Sequence, residues 1–391
     1  MEGCFTNPKH VRLYKLVRPL VTLFVKLMFG YTYESAKNLP KNYIVISNHV
    51  TDFDMLCVVA SFPRQMYFVA SEHVARMKLL YGIIKYAFSP IMRPKGASAA
   101  ATTMEMVRKA RKGDNVCLFA EGVRSWDGTT WPIVPSTGKL VKTAGCGLVT
   151  YKLEGGYFAS PMWGGASIRR GYFHGAPVNV YTPEQLKEMT AAEVQAAIEA
   201  DLFEDAYARQ RANPRRYRCK NPAEGLENLL YICPECGGYD SYTTAKDTVT
   251  CAACGHSFRY NEYGMLEGAP FETVQEFSDW QKERAEADVL QNVGYTAHHA
   301  VLQRLEDHTE IPVCEGAMRM DAESLVVGEL EIPMSAVTDL AMHGQRALVF
   351  TANKQYYELV PAKGSNSFKF FLYFTLLKKL KLSRQLRETV R

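Results

Sequence analysis

Tyr43-Ile44-Val45-Ile46-Ser47-Asn48-His49-Val50-Thr51-Asp52-Phe53-Asp54 is the stretch on which the fold turns. Tyr43–Ile46 is a short, unbroken apolar run of the kind that forms a buried strand. Ser47-Asn48-His49 is a polar turn, and Met55 to Ala60 reads as an apolar helix. The same alternation continues outward. Strands are expected at Met66–Ala70, Val116–Ala120 and Leu148–Tyr151, and helices at Glu72–Ala87, Thr102–Lys112 and Gly138–Ala144. Strands that alternate with helices predict an α/β domain, a sheet flanked by helices. Thr182-Pro183-Glu184-Gln185 and Thr190-Ala191-Ala192-Glu193 each set a threonine cap three residues before Gln or Glu, which predicts two further helices.

Composition frames this reading. The chain has 391 residues, 47% of them hydrophobic and 22% charged, which excludes disorder, a collagen-like repeat and a small disulfide scaffold. Arg12, Lys15, Arg18 and Lys26 interrupt the first apolar stretch, so neither a cleavable signal nor a spanning helix is expected there. Four of the ten cysteines form two tight pairs, and the rest are scattered singly, a reduced, cytosolic usage. Charge is uneven: residues 1–220 hold 30 Lys and Arg against 17 acidic residues, and residues 221–391 hold 16 against 24. A cationic first half points to an anionic partner, a phospholipid surface, a phosphorylated substrate or nucleic acid.

Residues 11–30 read VRLYKLVRPLVTLFVKLMFG. On a helical wheel Arg12, Lys15, Arg18, Thr22 and Lys26 fall in one sector of about 120° and the leucines cover the rest. A wide apolar face with a cationic stripe describes a helix lying in a membrane interface, its cations meeting lipid phosphates; a core helix with a basic edge is the alternative. Pro19 is expected to kink it or to start a second helix.

Three clusters carry chemistry. His49 follows a strand, and Asp54, five residues on, can accept from one ring nitrogen and leave the other to take a proton. A histidine that only caps the next helix is the other reading. Phe119-Ala120-Glu121-Gly122-Val123-Arg124-Ser125 ends a strand in an acid, a permissive glycine and an arginine able to grip phosphate; a Glu121–Arg124 salt bridge is the alternative. Ile91-Met92-Arg93-Pro94-Lys95 adds a second cationic candidate, Arg93.

In this order these residues resemble the glycerolipid acyltransferase family, which includes the lysophosphatidic acid acyltransferases, over about residues 11–220. Asn48-His49 with Asp54 matches the N-H-x-x-x-x-D motif, residues 119–125 look like F-P-E-G-T-R-S, Arg93 falls at the second motif's arginine, and Leu148-Val149-Thr150-Tyr151 lies where the fourth reads roughly V-P-V. Ala120, Val123 and Thr150 replace two prolines and a threonine, departures that bear on acceptor specificity more than on the reaction. The resemblance implies that His49, held by Asp54, deprotonates the hydroxyl of a lysophospholipid, 1-acyl-glycerol-3-phosphate by default. That oxygen then attacks an acyl thioester of coenzyme A or acyl-carrier protein. Arg93 and Arg124 would bind the acceptor phosphate, Glu121 would shape that site, and the Gly122 N–H is a candidate oxyanion donor. The setting implied is peripheral, on the cytoplasmic face of a membrane.

Cys233-Pro234-Glu235-Cys236-Gly237 and Cys251-Ala252-Ala253-Cys254-Gly255 are two C-x-x-C knuckles with fourteen residues between them, the spacing of a zinc ribbon. Four thiolates close a tetrahedron around Zn²⁺, so the metal would be structural; a pair of redox dithiols is the other reading, and His256 is a spare. The expected organisation is a basic amphipathic segment over 1–30, an acyltransferase domain over 31–220 and a zinc ribbon over 226–262. A helical linker over 265–308 and a small barrel-plus-helix domain over 311–391, weakly like a pleckstrin-homology domain, complete it. Basic residues and a ribbon also suit a nucleic-acid-associated protein. However, residues 233–254 of the ribbon carry Lys246 against Glu235, Asp240 and Asp247, a poor phosphate binder, and nucleic acid is not the expected partner. A catalytically silent lipid-binding scaffold would not need His49 and Asp54.

Overall fold

In the computed structural model the described residues are 7–71, 90–93, 99–165, 167–306 and 309–389. The helix expected over Glu72–Ala87 lies outside them. The chain forms two compact units, residues 1–162 with 168–219, and residues 163–167 with 220–391.

The first unit runs α1 (Pro8–Phe29), β1 (Thr32–Tyr33), β2 (Tyr43–Ser47), α2 (Asp54–Ser61), β3 (Met66–Ser71), β4 (Ile91–Arg93), α3 (Ala99–Arg111) and β5 (Asn115–Phe119). It continues through α4 (Thr137–Ala144), β6 (Gly147–Glu154), α5 (Gly156–Ala159), β7 (His174–Tyr181), α6 (Pro183–Glu188), α7 (Ala191–Leu202) and α8 (Ala206–Ala212). The sheet order is β1-β7-β6-β2-β5-β3-β4. β6, β2, β5, β3 and β4 are parallel, and β7 pairs antiparallel to β6. β2 is central and buried along its whole length, which is why its sequence shows no polar alternation. Ile44 and Ile46 join residues of α3, α4 and α7 in one core cluster. On the other face the ring of Tyr43 meets Phe62, at the end of α2, with centroids 5.9 Å apart. The connections leaving β2 and β5 therefore cross opposite faces. Their carboxyl ends flank a switch point, where open α/β sheets keep their crevice.

α1 is one helix through Pro19, so no second helix starts there. Its orientation departs from the wheel. Tyr14 donates to the carbonyls of Val59 (3.0 Å) and Phe62 (2.9 Å), and Arg18 to that of Ala60 (3.2 and 3.0 Å), so α1 satisfies the last turn of α2. Arg18 thus faces protein rather than lipid. Leu16, Leu20, Leu23 and Leu27 stay 54–70% exposed, beside exposed Arg12, Lys15 and Lys26.

The second unit opens with the cysteine knuckles and the antiparallel strands β8 (Tyr242–Ala245), β9 (Thr248–Cys251), β10 (Ser257–Tyr260) and β11 (Leu266–Glu267). Then come α9 (Val274–Leu290) and seven strands: β12 (Tyr295–Glu306), β13 (Thr309–Met320), β14 (Ser324–Val327), β15 (Leu330–Pro333), β16 (Val337–His343), β17 (Ala347–Ala352) and β18 (Gln355–Pro361). α10 (Phe368–Thr389) closes the unit. The seven strands form one antiparallel sheet in the order β15-β14-β13-β12-β18-β17-β16, two meanders joined through β12. The segment expected to be a helical linker through residue 308 is helical only over Val274–Leu290; Tyr295–Glu306 is the central strand of this sheet. The adjacent His298 and His299 interrupt the apolar alternation that would have announced it. Lys369 is buried on α10, where it pairs with Asp240 between the knuckles and donates to the Thr296 carbonyl (2.8 Å).

Candidate functional site

β2 delivers His49 into the crevice, and α2 begins with Asp54. The Asp54 carboxylate is fully buried and collects donors. Its Oδ2 accepts from His49 Nδ1 (2.8 Å) and the Val50 N–H (2.6 Å), and its Oδ1 from the Thr51 hydroxyl (2.6 Å). The Thr51 N–H lies 3.0 Å from both oxygens. A carboxylate only accepts, so Nδ1 carries the hydrogen, and in the neutral ring the lone pair is on Nε2. The His49 side chain is 26% exposed, and its ring stacks on Phe119 with centroids 4.8 Å apart.

The turn after β5 clamps the His49 backbone from both sides. Glu121 Oε1 accepts the His49 N–H (2.6 Å) while the His49 carbonyl accepts the Ser125 N–H (3.1 Å). Glu121 Oε2 takes the Trp131 N–H (2.7 Å). Burial pushes the Glu121 carboxyl up to about 8, against the pull of these two N–H groups. Both of its oxygens are engaged with backbone, so Glu121 acts on the site through His49. Gly122 has φ +72°, in the left-handed region that a β-carbon disfavours, and its N–H donates to the Phe119 carbonyl (3.3 Å). That N–H closes the turn.

Arg124 is also committed to the protein, with only 8% of its side chain exposed. Its Nε and Nη2 donate to the Val50 carbonyl (3.4 and 3.2 Å), Nη2 donates to the Ser160 carbonyl (2.6 Å), and Nη1 pairs with Asp52 (2.8 Å). The arginine ties the His49 loop to the segment after α5. Arg93 ends β4, its backbone paired in register with Ser71; its side chain lies outside the described residues, as do Pro94 and Lys95. Asn48 precedes His49 in the N-H-x-x-x-x-D pattern. Its amide donates to the Leu153 carbonyl (2.9 Å) and accepts the Leu153 N–H (2.7 Å), which fixes the start of the loop to β6. Thr150, in the fourth-motif segment, donates its hydroxyl to Asp201 (2.7 Å) on α7. The nearby thiols, Cys57 and Cys117, are buried; burial first, and Asp54 second, push both up, so neither is a ready thiolate. Among the described residues the arrangement is an imidazole held by a carboxylate, with no thiolate beside it.

The four cysteines come together in the second unit, their sulfurs all within 4.8 Å of one another. The Cys233–Cys254 and Cys236–Cys251 sulfurs are each 3.8 Å apart. Sulfurs at about 2.3 Å from one zinc would be about 3.8 Å apart along a tetrahedral edge, so the cluster fits that ion. The knuckles repeat each other: the N–H groups of Gly237 and Gly255 donate to the carbonyls of Cys233 (2.9 Å) and Cys251 (2.8 Å), at φ +70° and +79°. His256 is not in the cluster.

Residues 31–154, which hold the whole of the His49 loop and the Glu121–Arg124 turn, match the family model described as Acyltransferase. No curated protein matches the chain. Among solved structures, the 1-acyl-sn-glycerophosphate (LPA) acyltransferase PlsC from Thermotoga maritima is similar at 20% identity, over 50% of this chain and 84% of that one, with a TM-score of 0.39.

Proposed function

From a chain that carries an acyltransferase-family domain over residues 31–154, we propose an O-acyltransferase that moves a fatty acyl group from a thioester to the hydroxyl of a lysophospholipid. The acceptor proposed is 1-acyl-glycerol-3-phosphate, the product phosphatidic acid, and the donor acyl-CoA or acyl-carrier protein. The observation that carries this reading is the 2.8 Å contact from His49 Nδ1 to a buried Asp54, on an imidazole still open to the crevice. His49 Nε2 takes the hydroxyl proton as the acceptor oxygen attacks the thioester carbonyl. The tetrahedral oxyanion collapses, the carbon–sulfur bond breaks, and the proton passes from His49 to the departing thiolate. Arg124 and Arg93 are the cations proposed for the acceptor phosphate, and Glu121 and Gly122 shape the turn that carries Arg124.

The membrane assignment is supported by α1. Four leucines exposed on one helix, flanked by Arg12, Lys15 and Lys26, favour an anionic lipid surface over water. Among the described residues no helix is long and apolar enough to cross a membrane, and the enzyme proposed is peripheral, on the cytoplasmic face. The Cys233, Cys236, Cys251 and Cys254 cluster is proposed to hold a structural Zn²⁺, with no part in the chemistry.

Labelled acyl thioesters incubated with a panel of hydroxyl acceptors test the reading, wild type beside His49→Ala. Acylated lysophosphatidic acid is expected, with a loss of about 10²–10⁴-fold in the variant, the usual worth of a general base. A variant that keeps most of its activity removes His49 as the base.

A further inference from the structure

We infer that Asp52 governs how strongly the site takes an acceptor with an anionic headgroup, because it sits on Nη1, the guanidinium nitrogen of Arg124 whose partner is a side chain rather than a backbone carbonyl. The inference rests on the acyl-transfer reading above. Arg124 is the cation of the Glu121–Ser125 turn, yet Nε and Nη2 already donate to the carbonyls of Val50 and Ser160. Carbonyl oxygens of the His49 loop and of the segment after α5 are part of the fold and do not leave. Nη1 remains, and Asp52 Oδ2 sits on it at 2.8 Å. The two partners differ sharply: the Arg124 side chain is 8% exposed and that of Asp52 is 73% exposed. Only the aspartate can swing into solvent.

An acceptor phosphate that reaches Arg124 meets Nη1, whose two hydrogens it must share with Asp52 or take from it. Without that it would lie against the Asp52 carboxylate, a like charge. Asp52 holds the guanidinium edge while the site is empty and competes with the headgroup when substrate arrives. It lies inside the His49–Asp54 loop, two residues before the carboxylate that holds the imidazole. A neutral headgroup gains nothing from Nη1 and leaves the pair in place. Asp52 is thus a specificity-determining residue whose charge sets the KM for phosphate-bearing acceptors relative to neutral ones.

The test compares full-length wild type with Asp52→Asn and Asp52→Ala on 1-acyl-glycerol-3-phosphate and on the matching monoacylglycerol. For the phosphate-bearing acceptor the KM of both variants should fall about two- to fivefold, the worth of an exposed ion pair, with kcat held within about twofold. The KM for monoacylglycerol should not move, and added salt should narrow the difference. A KM that rises, stays the same, or shifts equally on both acceptors overturns the inference. If wild type acylates neither acceptor, the acyl-transfer reading fails by itself. Glycerol 3-phosphate titrated into the same three proteins then still decides the role of Asp52: Kd should tighten about two- to fivefold in the variants, and an unchanged or weaker Kd overturns it.

Discussion

Replacing Asp54 separates the two things its carboxylate does. In Asp54→Asn the amide oxygen can stand where Oδ2 stands, keeping the bonds from His49 Nδ1 (2.8 Å) and the Val50 N–H (2.6 Å). The new NH₂ then faces the Thr51 hydroxyl, which turns from donor to acceptor, and the Thr51 N–H keeps its 3.0 Å contact to the retained oxygen. Shape survives and the charge is lost. A hydrogen bond to a charged group is worth about 1.5–3 kcal/mol and a neutral one about 0.5–1.5, so the imidazolium formed during transfer loses about 1–2 kcal/mol, a five- to thirtyfold drop in kcat. Asp54→Ala instead strands the Val50 N–H, the Thr51 N–H and the Thr51 hydroxyl in a fully buried pocket. At about 1–3 kcal/mol for each, it should cost 3 kcal/mol of stability or more. Thiol release from acyl-CoA in the presence of lysophosphatidic acid reads the first effect, and urea unfolding of both variants reads the second. Wild-type kcat in Asp54→Asn would refute the reasoning, as would an asparagine variant as unstable as the alanine one.

Glu121→Gln keeps one acceptor and turns an NH₂ toward the other N–H, so activity should fall with a stability loss of about 1–3 kcal/mol near pH 5. Folding raises the Glu121 pKa from 4.5 to about 8, so the folded chain keeps a proton that the unfolded chain gives up. That contribution is full below pH 4.5 and is lost as pH rises toward 8. The Tm of wild type should therefore decline relative to Glu121→Gln across this window, and a constant difference from pH 4 to 9 (roughly the span to scan) counts against it. Purified protein should carry about one zinc per chain, and Cys236→Ser or Cys251→Ser should lose it together with thermal stability. Four titratable thiols in metal-free protein with an unaltered melt would contradict the ribbon. Leu20→Glu with Leu23→Glu should weaken flotation with anionic vesicles at least about tenfold without loss of helical circular dichroism, since each leucine buried in lipid contributes about 1.5–3 kcal/mol. Undiminished flotation would assign that face elsewhere.

The parts of this protein legible in its sequence are those settled within about ten residues. The strand–turn–helix at Tyr43–Ser61, the capping boxes at Thr182 and Thr190, and the two cysteine knuckles each depend on neighbours in the chain. His49 and Asp54 could be paired because one turn spans five residues. Contacts between distant residues were not legible. Glu121 reaches His49 across 72 positions, and nothing in an E-G-x-R pattern says whether its carboxylate meets a ligand or a backbone N–H. Arg124 looks equally basic whether its guanidinium faces a crevice or the carbonyls of Val50 and Ser160. The same holds for Arg18, which periodicity puts among the lipid-facing cations and the fold turns onto Ala60. Local pattern determines which elements form and which side chains share a face. What each charged group finds opposite it is decided only when strands far apart in sequence pair, because a hydrogen bond is satisfied by whatever lies about 3 Å away in space.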